Sequence, residues 1–156
     1  MDRHAEPPDA PQERAAPFST LDPDLIRAYR SARYRVQASP QPFVLTVDAH
    51  SSRLAALICK LPARTAALVT ACNPEGVLLT PQENRVAMAQ LRSELRGRCA
   101  GLLDAQNSGA AGDWTEPSLL ALGLSREAAC ALGRRWRQNA ILHAVADAVP
   151  RLVLLR

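Results

Sequence analysis

One carboxylate stands among five residues built for hydrogen bonding: Glu116, with Asn73, Asn84, Ser118, Gln138 and Asn139. Amides offer paired donors and acceptors that match a carbonyl, another amide or the edge of a nucleobase. Glu116 alone in the set can take up and release a proton as a general acid–base, and amides and apolar strands around it push a carboxyl pKa toward neutral. Binding of a small molecule or nucleotide by the amides, with Glu116 as the catalytic candidate, is the chemistry such a set can do. The residues come from separate stretches of chain, so the set exists only if the fold assembles it.

Other chemistries find less. Ser118 has no His in its motif and no G-x-S-x-G elbow, and neither a P-loop nor G-x-G-x-x-G occurs. Cys72, beside Asn73 at a strand end, is a thiol that a helix N-terminus can activate. Cys59, Cys72, Cys99 and Cys130 form no C-x-x-C pair, and His4, His50 and His143 are isolated, so the spacing predicts neither a metal site nor another cofactor. Reduced thiols, an N-terminus without an apolar h-region and no run of roughly 18 apolar residues together predict a cytoplasmic protein with no membrane span.

The elements that must position these residues are legible from caps and periodicity. Residues 1–20 carry Pro7, Pro8, Pro11 and Pro17 and read as a disordered tail, leaving 21–156 as one globular domain. Asp22 caps a helix with Pro23 at its first position, predicted to run to Val36 along a stripe of Leu25, Tyr29, Ala32 and Val36. FVLTV, 43–47, is a strand, and Ser51 or Ser52 caps the next helix. AALVTA, 66–71, is a strand apolar on both faces. Thr80-Pro81-Gln82-Glu83 forms a capping box opening a helix that runs to Arg96 and stops at Gly97. CAGLLDA, 99–105, and SLLALG, 118–123, are strands flanking a polar loop with Gly109 and Gly112. Ser125 caps a helix through Trp136, and NAILHAV, 139–145, and RLVLL, 151–155, are the last strands. The sum is an α/β or α+β fold, a mixed sheet of five to six strands with about four helices packed on it.

Placement follows from strand direction. The helical stripe Met88, Leu91, Leu95, extended one turn backward, reaches Asn84, so that amide faces the sheet and needs a partner. Strand 66–71 ends at Asn73. Strands 118–123 and 139–145, joined by a helix, favour a parallel crossover with their amino ends at one edge. If that pair opposes strand 66–71, all six polar residues meet beside the helix start at Thr80, whose N–H groups and dipole favour an anion.

Charge offers an alternative. The chain of 156 residues is 47% hydrophobic with net charge +4, nearly all of it from Arg, since Lys60 is the only lysine. Arg27, Arg30 and Arg33 form a helical stripe, and Arg134, Arg135 and Arg137 cluster near Gln138. Either can contact phosphates or protein partners, making an Arg-mediated nucleic-acid or protein interaction module the second reading. Two Trp, two Tyr and two Phe are poor provision for base stacking.

The order TACNP, EN, DWTEPS, LGLS and LGRRWRQNAI resembles a bacterial domain-of-unknown-function family, number 3293, over about Tyr29 to Val153. The family pattern falls here on Thr70, Ala71, Asn73, Pro74, Glu83, Asn84, Trp114, Glu116, Ser118, Gly133, Arg134, Gln138, Asn139 and Ala140. Two positions depart from it: Cys72 stands where the resemblance implies an aromatic residue, and Arg137 where it implies Gly. The first thins the packing near Asn73, and the second threatens a close backbone approach. The resemblance implies no activity.

Overall fold

The computed structural model of the chain describes residues 19–156; most of the predicted Pro-rich tail, residues 1–18, lies outside the described residues. The elements are α1 (Pro23–Ser31), β1 (Arg33–Val36), β2 (Phe43–Leu45), α2 (Ser52–Ile58), β3 (Ala66–Val69), a 3-10 turn (Pro74–Gly76), α3 (Pro81–Leu95), β4 (Gly101–Ser108), β5 (Thr115–Leu122), α4 (Arg126–Arg135), β6 (Ala140–Ala144) and β7 (Arg151–Leu154).

Each helix starts where a short polar side chain can satisfy its free N–H groups. Asp22 accepts from the Asp24 N–H, Ser51 from Leu54, Thr80 from Glu83 and Ser125 from Ala128. At α3 the box is complete, because the Glu83 carboxylate also accepts the Thr80 N–H at 2.8 Å.

The first helix is shorter than its apolar stripe predicts. Ala32 is already extended (φ −65°, ψ 158°), and Arg33–Val36 form a strand instead of a last helical turn. Arg33 and Arg35 point to solvent while Tyr34 and Val36 are buried, a period of two that pairs with β2 on one side and β4 on the other.

The fold is α+β, with four helices on one seven-stranded sheet, one strand more than the upper expectation. The strand order is β2-β1-β4-β5-β3-β6-β7, and all six neighbour pairs are antiparallel, so the sheet is not mixed. The crossover strands β5 and β6 do run the same way, but β3 lies between them and opposes both. An all-buried apolar strand with two faces and two edges to cover lies inside the sheet, between β5 and β6.

Two apolar layers hold the sheet. Leu54 and Ile58 of α2 cover one face against Leu68, Leu120 and Leu142. Leu91 and Leu95 of α3 and Leu132 of α4 cover the other, against Val69, Leu119 and Ile141. Gly133 lets α4 sit close, since a Cβ there would fall 2.5 Å from Leu155 Cδ1 and 2.9 Å from Ile141 Cγ2. The α2 layer stops short of the carboxyl end of β3, and α1 spans the gap.

Candidate functional site

Tyr34, Asn107 and Glu116 stand in one row across three strands, Tyr34 opposite Asn107 and Asn107 opposite Glu116. Directly opposed residues share a face, so all three side chains leave the sheet on the side that α1 spans. A cavity of about 290 Å³ lies over them. Leu25 and Tyr29 of α1 form one wall, Leu142 and Leu152 another, and Gly76 and Leu78 of the turn after β3 border it.

Asn73 is the pivot. It takes a left-handed conformation (φ 47°, ψ 60°) that Asn tolerates better than most residues, and every polar atom of its side chain is engaged. Its Oδ1 accepts the Leu79 N–H at 3.0 Å and Asn84 Nδ2 at 2.9 Å, and its Nδ2 donates to Glu116 Oε2 at 3.1 Å. Asn84 also accepts the Asn73 backbone N–H at 3.0 Å. The amide on the inward face of α3 therefore works behind the site, locking Asn73, and does not border the cavity itself.

Glu116 is half-buried beneath this clamp. Burial pushes its carboxyl above the ordinary range, and the polar groups of Asn73, Asn107 and Thr70 hold part of that rise back. The carboxyl is thus poised toward the protonated form without being fixed in it.

On the opposite wall, Asn139 Nδ2 donates to the Tyr29 hydroxyl at 3.1 Å, and Arg156 Nη1 donates to Asn139 Oδ1 at 3.4 Å. Burial, ahead of the Glu116 charge, raises the Tyr29 phenol, so it stays a neutral hydroxyl with a proton to give. The Tyr34 hydroxyl donates to the Tyr29 carbonyl at 2.7 Å and fixes α1 above the sheet. Gln138 borders the cavity, and its Nε2 donates to the Cys72 carbonyl at 3.0 Å.

Of the six residues singled out in the sequence, Asn73, Glu116, Gln138 and Asn139 border one cavity, and Asn84 stands behind Asn73. Ser118 is buried in the sheet, donating to Asn107 Oδ1 at 2.7 Å, and does not reach the cavity. Tyr29, Tyr34, Asn107 and Trp114 were not anticipated as site residues. Gly109 and Gly112 held the one signal for Asn107: a hairpin turn there opposes Asn107 to Glu116.

At the start of α3 the Thr80 and Glu83 N–H groups are taken by the Glu83 and Thr80 side-chain oxygens, and none of Thr80, Pro81, Gln82 and Glu83 borders the cavity. The arginines are largely committed as well. Arg27 pairs with Asp24, Arg30 with Asp48, Arg135 with Glu94 and Arg137 with Glu75. Arg33 lies on β1 and so leaves the helical stripe.

Cys72 is buried against the cavity, and burial lifts its thiol to about 11, the reverse of an activated nucleophile. Arg137 has φ 54°, which accounts for the fit of Gly there. Its side chain points outward, where its Nε and Nη2 donate to the two Glu75 carboxylate oxygens at 3.2 and 2.9 Å, and its carbonyl accepts the Glu75 N–H at 2.8 Å. It obstructs nothing at the cavity. Among the described residues no three His, Cys, Asp or Glu side chains gather to hold a metal ion, all four cysteines are unpaired, and no helix is long and apolar enough to cross a membrane.

A family model described as "Protein of unknown function (DUF3293)" matches residues 69–141. No curated protein and no solved structure matches the chain. The match is shorter than the span of Tyr29 to Val153 read from the motifs, and it leaves α1, β1 and β7 outside. It takes in Asn73, Asn84, Glu116, Ser118, Gln138 and Asn139 together, so all six residues singled out in the sequence lie in the stretch that is similar to the DUF3293 family.

Proposed function

We propose that the cavity binds a small molecule, with Glu116 as the group that exchanges a proton with it. One observation carries this reading: a pocket of about 290 Å³, walled by leucines and aromatic rings, onto which Asn73, Glu116, Asn139 and the Tyr29 hydroxyl converge. Concave apolar sites with a few directed polar groups are the usual form of ligand sites. The polar groups are held by partners outside the pocket, as Asn84 holds Asn73, so they are set before a ligand arrives. A whole nucleotide fits poorly, because among the described residues no Arg or Lys borders the cavity to meet its phosphates; a nucleobase, nucleoside or amide of similar size suits it. Four unpaired cysteines suit a reducing compartment, the cytoplasm.

A thermal-shift screen of uncharged, cationic and anionic metabolites tests the reading. A ligand at 100 times its Kd adds about 2.7 kcal/mol, a rise of about 5–10 °C for a chain of this size. The same ligand is expected to give no shift with Glu116→Gln or Asn139→Ala, while the unliganded variants melt near the parent. Two variants that simply melt early would assign these residues to the fold instead.

A further inference from the structure

Half of the chain's six aromatic residues, Tyr29, Tyr34 and Trp114, border this one cavity. They come from α1, β1 and the end of the β4–β5 hairpin, so nothing local in the sequence brings them together. Among the described residues, Glu116 is the only carboxylate bordering the cavity, and no Arg, Lys or His joins it. Glu116 accepts an amide hydrogen bond from Asn73 but has no ion-pair partner among the described residues. A half-buried carboxylate without a cation is an incomplete arrangement, since removing it from water is offset only when an opposite charge is supplied. The Arg156 guanidinium at the Asn139 wall is committed to Asn139 Oδ1 and Glu75.

From this we infer that the ligand is an organic cation, an ammonium, amidinium or protonated heterocycle carried on a flat apolar body. The inference rests on the binding role proposed above and names its chemical class. Ring faces attract a cation through their quadrupoles, most strongly when water is excluded, and the carboxylate supplies the full countercharge. The cationic head lies against Glu116, its N–H groups donating to the carboxylate, and its flat body stacks among the rings and leucines. The ring faces and Glu116 both repel an anion at that position.

Three probes of one shape and three charges separate charge from fit: benzamidine, benzamide and benzoate, titrated calorimetrically into the full chain. Benzamidine is expected to bind about tenfold tighter than benzamide, and benzoate weakest. Glu116→Gln, close in shape and still able to accept from Asn73, is expected to erase the preference for benzamidine over benzamide. In the parent, benzamidine affinity falls as acid protonates Glu116, and benzamide affinity does not. Benzoate binding as tightly as benzamidine, or a preference that survives in Glu116→Gln, overturns the cation assignment and leaves the small-molecule reading standing. Binding of none of the three also overturns it, and the metabolite screen then decides the binding role by itself.

Discussion

Asn84 grips Asn73 with two hydrogen bonds, accepting its backbone N–H at 3.0 Å and donating to its Oδ1 at 2.9 Å. The grip ties the first turn of α3 to the left-handed residue that ends β3, and Asn73 in turn bonds Glu116. Asn84→Ala strips both bonds and leaves a partly buried N–H without its acceptor, a loss of about 1–3 kcal/mol. Asn84→Asp keeps the acceptor but sets two oxygens face to face, and it is expected to lose as much at neutral pH. Urea denaturation of the two variants measures this.

The Glu116 carboxyl has a different signature. Its folded pKa lies above the unfolded value of 4.5, so the fold favours the protonated form. The stabilisation is complete below pH 4.5 and is lost as pH rises through the folded pKa. Glu116→Gln carries no such charge. The variant is therefore expected to gain on the parent in melting temperature as pH rises above 4.5 and through the folded pKa. A melting difference that is flat with pH, or that turns against the variant, would contradict this.

Arg137 tests what a left-handed residue contributes. A non-glycine side chain at φ 54° costs about 1–2 kcal/mol, and an ion pair in solvent such as that with Glu75 returns little of it. Arg137→Gly sheds both and is expected to melt within a few degrees of the parent. Arg137→Ala keeps the strain and loses the pair, so it melts below Arg137→Gly, although alanine is ordinarily the more stabilising residue. Differential scanning calorimetry of the three proteins gives the order.

Cys72 borders the cavity with its thiol held protonated. Iodoacetamide is expected to label exposed Cys59 first and Cys72 last, as read by mass spectrometry of the digested protein. Cys72→Phe puts a ring into the open volume. The fold is expected to survive with loss of about 1–3 kcal/mol, and ligand shifts in the thermal screen disappear.

Much of this arrangement could be read from the chain because its signals are local or directional. The four caps, Asp22, Ser51, Thr80 and Ser125, stand where the sequence puts them, since a cap is a contact across two or three residues. The convergence of Asn73, Glu116 and Asn139 followed from strand direction, and β5 and β6 do oppose β3. The end of α1 was misread because Leu25, Tyr29, Ala32 and Val36 satisfy a helical period, while the alternation Arg33, Tyr34, Arg35, Val36 satisfies a strand equally well. The pairings of β1 with β2 and, across some 70 residues of chain, with β4 decide between them. The same long-range pairing brings Tyr34 to Asn107, which is why the aromatic side of the cavity left no trace in the sequence.

The place of β3 inside the sheet, between β5 and β6, has a consequence for how the protein is made. Ribosomes deliver Ala66–Val69 well before Thr115–Leu122 or Ala140–Ala144, the two strands that cover its edges. For that interval the nascent chain carries a sticky, unpaired apolar segment, the kind of intermediate that aggregates or engages chaperones. Yield at high expression is therefore set by how quickly the β4–β5 hairpin arrives to claim its partner.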